Sequence, residues 1–175
     1  VGLSLEGAWN VGQLISYRRE ALKVHPLTQI QHLPITTEEA WAFFASPSKL
    51  SEITPADMGF ELLGDHEGLI YEARILRYRI SLAPGVKFHW TTEIKAVVPG
   101  HSFVDEQRSG PFAFWHHRHT FEPIDGGVKI TDLIHYAVPF CAVGELFHPL
   151  LVRPKLERIF EYRRGTLEKR FGRLG

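Results

Sequence analysis

The chain has 175 residues and a mass of 20.0 kDa, which is room for one domain rather than two. Lys and Arg together number 20, as do Asp and Glu, so the formal net charge is +0 and no global basic field exists to gather nucleic acid or an anionic membrane. Hydrophobic residues at 44% and charged residues at 23% describe a folded globule, and no apolar run reaches the roughly eighteen residues of a membrane span. No basic-then-apolar leader opens the sequence, and the single cysteine, Cys141, excludes an internal disulfide. A reducing, cytoplasmic setting is the expectation.

In chain order, residues 1–23 mix glycines with Trp9, Leu14, Ile15 and Tyr17 and are read as an extension without assigned function, ahead of a domain over 24–175. Val24–Pro34 alternates as a strand. Thr36-Thr37-Glu38-Glu39 is a helix-start signal leading into Ala40, Trp41, Phe43 and Phe44. Ser46-Pro47-Ser48 breaks that helix, and Lys49–Ile53 forms a second short one, stopped before Pro55. Beyond Pro55 six stretches read as strands: Phe60–Leu63, Leu69–Leu82, Phe88–Val98, Ser102–Arg108, Phe112–Glu122 and Val128–Val138. Each is bounded by Gly, Pro or Asp, and the short loops make successive strands antiparallel neighbours. Finally Pro154 opens a helix whose apolar stripe is Leu156, Ile159, Phe160, Leu167 and Phe171, with basic side chains on a solvated outer face. The order predicts an α+β domain: seven antiparallel strands, two short helices after the first, and a sheet curved around one long C-terminal helix. The space between sheet and helix is a natural apolar cavity.

Trp115-His116-His117-Arg118-His119-Thr120-Phe121 carries the most chemistry. Strand periodicity places Trp115, His117, His119 and Phe121 on one face, taken as the inward one because it pairs two large rings without a charge pair. A turn at Asp125-Gly126 sets a register in which facing residue numbers add to 251, putting His119 opposite Asp132, His117 opposite Ile134, Trp115 opposite Tyr136 and Phe121 opposite Ile130. A bulge at Gly127 would reverse the faces. Asp105 and Gln107 share a strand face with Phe103; a three-residue loop at Ser109-Gly110-Pro111 would bring Asp105 onto the histidine face, and a two-residue loop would turn it outward. These groups form a buried polar network, the polar end of a ligand pocket, a metal site on His117 and His119 with Asp132 or another strand's residue as third ligand, or an acid–base pair of His119 and Asp132. The residues alone leave these alternatives open.

The phrases Trp41-Ala42-Phe43-Phe44, Leu50–Pro55 with Met58-Gly59-Phe60, Trp90–Ile94, Phe103–Gln107, Gly110-Pro111-Phe112, Trp115–Phe121, Thr131-Asp132 and Ile159–Arg163 form one pattern. Together they resemble, over residues 24–172, the START/SRPBCC superfamily, the helix-grip fold that includes polyketide cyclases, lipid-transfer domains and pollen-allergen-like proteins, and within it a largely uncharacterised bacterial branch. The resemblance implies a seven-stranded antiparallel sheet around the C-terminal helix with a deep apolar cavity, and it transfers no reaction. The expectation is a protein that binds a small hydrophobic or amphipathic molecule. Trp41, Phe44, Trp90, Trp115, Phe121 and Tyr136 would supply apolar wall, and His117, His119, Asp132, Asp105 and Gln107 the polar end. The second expectation is a cyclase or dehydratase in which His119, held by Asp132, moves protons. No cofactor, metal or nucleic-acid partner is assigned.

Overall fold

The computed structural model describes residues 22–83 and 85–174. The stretch read as an N-terminal extension lies outside them through residue 21. The elements are β1 (His25–Leu33), α1 (Thr37–Phe44), short 3-10 turns at Pro47–Ser51 and Ala56–Met58, then β2 (Glu61–Leu63), β3 (Ile75–Ala83), β4 (Val86–Val98), β5 (Ser102–Ser109), β6 (Phe114–Ile124) and β7 (Gly127–Ala137). They end in α2 (Cys141–Phe147), a π-type turn over His148–Val152, and α3 (Arg153–Phe171). The seven strands form one antiparallel sheet in the order β1-β7-β6-β5-β4-β3-β2, so the first and last strands of the chain are neighbours. This is the α+β helix-grip arrangement that the element order predicts.

Local chemistry accounts for the starts and turns. Thr36 caps α1: its Oγ1 accepts from Glu39 N–H at 3.2 Å, and Glu39 Oε2 accepts from Thr36 N–H at 2.9 Å. The Asp125-Gly126 turn, with Gly126 at φ +75°, joins β6 to β7 without a bulge. Trp115 therefore faces Tyr136, His117 faces Ile134, His119 faces Asp132 and Phe121 faces Ile130. The same positions of β7, from Val128 through Ile130, Asp132, Ile134 and Tyr136, are buried.

α3 lies against this face through Leu156, Phe160, Arg163 and Leu167, spaced four, three and four residues apart so that they share one stripe. The core divides in two. One cluster gathers Leu33, Phe43, Phe103, Phe121, Ile130 and Leu167; the other gathers Met58, Tyr78, Trp90, Trp115, Ile134, Tyr136, Leu156 and Phe160. Each fully buried large apolar side chain contributes about 1.5–3 kcal/mol.

Two segments differ from the sequence expectation. The strand expected from Leu69 begins only at Ile75. Arg74 is buried and donates to the Leu69 and Glu67 carbonyls, each at 2.7 Å, and Ala73 adopts φ +66°. Residues 67–72 therefore close on the Arg74 side chain, and backbone bonding to β4 starts only at Ala73 and Arg74, which bond to Ile94. The helix α2 and the turn after it are not expected from the sequence. Their inner side is fixed by polar contacts: the Tyr136 hydroxyl and His148 Nε2 share a hydrogen bond of 2.8 Å, and His25 Nε2 lies 2.9 Å from Glu145 Oε1. Their outer side exposes Phe140 at 81% and Leu150 at 73%, with Val143, Leu146 and Leu151 beside them.

Thr36→Ala removes the cap of α1, the helix that carries Phe43 and Phe44 into the core. The urea midpoint is expected to fall by the equivalent of about 1 kcal/mol with an unchanged slope. An unchanged midpoint would mean that packing alone holds the helix.

Candidate functional site

Along β6 the inward positions run from Phe121, in one apolar cluster, through His119 and His117 to Trp115, in the other. A polar seam thus crosses the core between two apolar halves. β7 contributes Asp132 directly opposite His119, and β5 contributes Asp105 directly opposite His117. The loop between β5 and β6 is longer than three residues, covering 110–113, and this register puts the Asp105 side chain on the histidine face.

The two carboxylates bracket the two imidazoles. His117 Nε2 donates to Asp132 Oδ1 at 3.0 Å, and His119 Nε2 to Asp105 Oδ2 at 3.0 Å. The remaining ring nitrogens also face carboxylates, His117 Nδ1 at 3.1 Å from Asp105 Oδ2 and His119 Nδ1 at 2.8 Å from Asp132 Oδ1. The last contact is off the hydrogen-bond direction, so His119 Nδ1 is a buried nitrogen without an aligned partner. The imidazoles lie 3.8 Å apart between centroids. Outside this square, Trp115 Nε1–H donates to Asp105 Oδ1 at 2.9 Å, and Arg163 Nη2–H donates to Asp132 Oδ1 at 3.1 Å. The Arg163 guanidinium carbon sits 4.7 Å from the Phe44 ring centroid and 5.6 Å from that of Phe160.

Burial and pairing oppose each other in this cluster, and pairing wins. Burial would raise Asp132, but the Arg163 guanidinium, followed by His117 and His119, holds its carboxyl well below the usual range. Asp105 is likewise raised by burial but brought well below the usual range by His117 and His119. Burial would lower His117, yet Asp105 and then Asp132 push it up to about 9, so it carries a proton at neutral pH. Tyr78 nearby is pushed upward by burial and stays a neutral hydroxyl, 3.3 Å from Thr92 Oγ1.

The cluster opens on a cavity of about 180 Å³ between the sheet and α3. Of the residues singled out in the sequence, Phe44, Trp90, Asp105, Trp115, His117 and His119 line it. The other five stand outside its wall for separate reasons. Trp41 packs its ring edge-on to Phe103 and Phe121 in the neighbouring apolar cluster, which also absorbs Phe121. Asp132 lies behind the imidazoles, and Tyr136 is turned to His148. Gln107 staples the loop before β6, donating to the Phe112 carbonyl at 2.7 Å and accepting from Phe112 N–H at 3.2 Å.

Arg163 is the lining residue that sequence reasoning misses, together with Tyr78, Phe112, Leu156 and Phe160. The signal is present: Arg163 falls between Phe160 and Leu167 on the buried stripe, where a charge is out of place unless it has a partner. Three groups could hold an ion, since Asp105, His117 and His119 each offer a ligand atom and these atoms lie within 4.8 Å of one another.

No family model matches the chain, and no curated protein matches its sequence. Solved structures match its fold. The protein TTHA0849 from Thermus thermophilus superposes with a TM-score of 0.60 at 18% identity, over 83% of this chain and 96% of that one. The KanY protein (ms6282) gives a TM-score of 0.64 at 10% identity, over 85% and 98% of the two chains. Ara h 8.0201 gives 0.56 at 18% identity, over 84% and 99%. The chain thus has the helix-grip, SRPBCC-like fold. Among the described residues, no helix is long and apolar enough to cross a membrane.

Arg163→Met removes the guanidinium from the buried Asp132 carboxylate and leaves it with the imidazoles alone. The urea midpoint is expected to drop by the equivalent of about 3–5 kcal/mol. Arg158→Met, at the exposed pair with Asp57, is expected to leave it unchanged. Equal effects of the two variants would show that the buried pair is not what holds α3 to the sheet.

Proposed function

We propose that this protein binds a small hydrophobic or amphipathic molecule in the cavity between sheet and helix, with the polar group of the ligand at the His117–His119–Asp105 end. A carrier or sensor of such a molecule in the cytoplasm is the role that fits. The observation that carries the reading is the asymmetry of the cavity: apolar and aromatic side chains such as Phe44, Tyr78, Ile80, Trp90, Phe112 and Phe160 form the wall, and ionisable groups converge at one end. At about 180 Å³ the space is below the ~300–1,000 Å³ of drug-sized sites, which favours a compact molecule bearing a ring that these aromatics can face. The fold likeness to Ara h 8.0201 and KanY supports a fold of this kind and names no ligand.

An acid–base role for His119, as in a cyclase or dehydratase, has less support. Its Nε2 donates to Asp105 Oδ2 at 3.0 Å, and its Nδ1 faces Asp132, behind the rings, at 2.8 Å. No nitrogen of His119 is thus aimed at the apolar part of the cavity where a substrate would lie.

The test is occupancy followed by exclusion. Native mass spectrometry of protein purified from cells is expected to show an added mass of a few hundred daltons released on denaturation. An apolar fluorescent probe is expected to bind one to one and be displaced by the released compound. Ile159→Arg places a charge at the half-buried cavity wall and is expected to weaken the probe at least tenfold while circular dichroism is unchanged. A probe that binds this variant as it binds the wild type sits elsewhere, for instance on the exposed apolar face of α2, and the cavity reading fails.

A further inference from the structure

The polar seam has an internal order that a satisfied hydrogen-bond network does not require. Each imidazole directs one nitrogen at Asp105 Oδ2 and the other at Asp132 Oδ1. The two carboxylates are not equivalent. Asp132 faces a guanidinium as well as both rings, lies behind them and takes no part in the cavity wall. Asp105, its side chain 18% exposed, lines the cavity with both imidazoles, and its Oδ1 is taken by the Trp115 indole N–H. Oδ2 is then the oxygen turned to the two rings.

We infer that Asp105 Oδ2, His117 Nδ1 and His119 Nε2 form a three-ligand site for one divalent transition-metal ion of the zinc, iron or cobalt type, open toward the cavity. Two ligands of one ion at ~2.1 Å bond length lie ~3.0 Å apart at a right angle and ~3.4 Å apart in a tetrahedron. The observed separations from Asp105 Oδ2 are 3.1 Å to His117 Nδ1 and 3.0 Å to His119 Nε2. Two imidazoles and one carboxylate suit first-row divalent ions better than the hard, all-oxygen sites of calcium or magnesium.

The outer contacts agree with this assignment. A metal-bound histidine directs its other ring N–H to a carboxylate or carbonyl, which fixes the ring and its tautomer. Here His117 Nε2 and His119 Nδ1 both face Asp132 Oδ1, at 3.0 and 2.8 Å, and Arg163 anchors that oxygen from behind. His119 Nδ1 is the nitrogen left without an aligned partner. A small rotation that brings Nε2 onto an ion, instead of onto Asp105 Oδ2, is free to align it. The remaining coordination positions would face the aromatic cavity, where water or an oxygen of the bound molecule completes the shell. The inference rests on the cluster itself and stands whether or not the cavity takes an organic ligand.

The test uses metal alone. Tag-free protein, stripped with chelator and dialysed, is titrated with Co(II) and then Zn(II). The expected result is one equivalent of Co(II) with visible ligand-field bands, displacement of those bands by one equivalent of Zn(II), and a higher melting temperature in saturating Zn(II). His117→Ala and Asp105→Asn are expected to abolish the bands. Trp115→Phe keeps the ring, frees Asp105 Oδ1 and is expected to retain one equivalent with affinity about tenfold weaker. Where His117→Ala fails to fold, Asp105→Asn and Trp115→Phe decide, with folding checked by circular dichroism. Absence of stoichiometric binding to the wild type at millimolar Co(II) or Zn(II) overturns the inference, as does undiminished binding in Asp105→Asn.

Discussion

A carboxylate on the sheet and a guanidinium on the helix are buried together, and the rest of the molecule is arranged around that fact. Asp132 sits at the middle of β7, and Arg163 at the middle of the buried stripe of α3. Taking either group out of water alone costs several kcal/mol, so the fold that buries one must bring the other. Apolar packing is non-directional and would let a helix settle into the curved sheet in more than one rotation. A turn of one residue swings a side chain by ~100° about the helix axis, which would carry the guanidinium away and leave Asp132 to the two imidazoles. The pair therefore fixes which face of α3 meets the sheet. With it are fixed the positions of Leu156 and Phe160 in one apolar cluster and Leu167 in the other.

The same pair explains why the core is divided. A continuous apolar core along β6 would need apolar side chains at positions 117 and 119. Instead the two imidazoles there form a polar layer between clusters, with Asp105 and Asp132 satisfying most of their nitrogens. Such a layer costs stability relative to well-packed hydrophobes unless every member finds a partner. Its position, opening on the space under α3, gathers Asp105, His117 and His119 at one part of a wall that is otherwise mainly apolar and aromatic. Stability is conceded in the place where selectivity is useful.

Much of this is legible in the sequence, because a two-residue turn transmits register with no freedom. From Asp125-Gly126 every facing pair between β6 and β7 follows, including His119 with Asp132. Asp105 is not legible in the same way. Its register depends on the loop between β5 and β6, which is held by a side-chain staple from Gln107 to Phe112 across five residues rather than by a two-residue turn. The irregular stretch before β3 reads as strand because its apolar residues fit one. What overrides that pattern is the Arg74 side chain, which takes up the Leu69 and Glu67 carbonyls, together with the left-handed backbone at Ala73. In sequence Arg163 is easily counted with the other basic residues of α3 although its spacing places it on the apolar stripe, and the partner on β7 shows why this one turns inward. Helix α2 escapes the sequence for a related reason: its inner face is held by polar contacts to His25 and Tyr136, whereas a helix is recognised in sequence by an apolar inner stripe.

A ligand of the proposed kind would meet a site whose charge depends on what fills the space between the imidazoles and Asp105. Two carboxylates that draw a proton onto His117 draw a divalent cation for the same electrostatic reason, since both relieve the same repulsion. Exchange of one proton for a divalent ion raises the charge of the cluster by one unit without moving any side chain out of the seam. In a cavity walled by aromatic rings that unit is weakly screened. The proton-filled cluster suits a neutral oxygen, such as a carbonyl or hydroxyl. With the proposed ion in place the cluster would suit an anionic one, such as a carboxylate or enolate. The apolar wall is identical in both states, so it sets the shape of the molecule that fits, and the occupant of the seam sets the charge of its polar end.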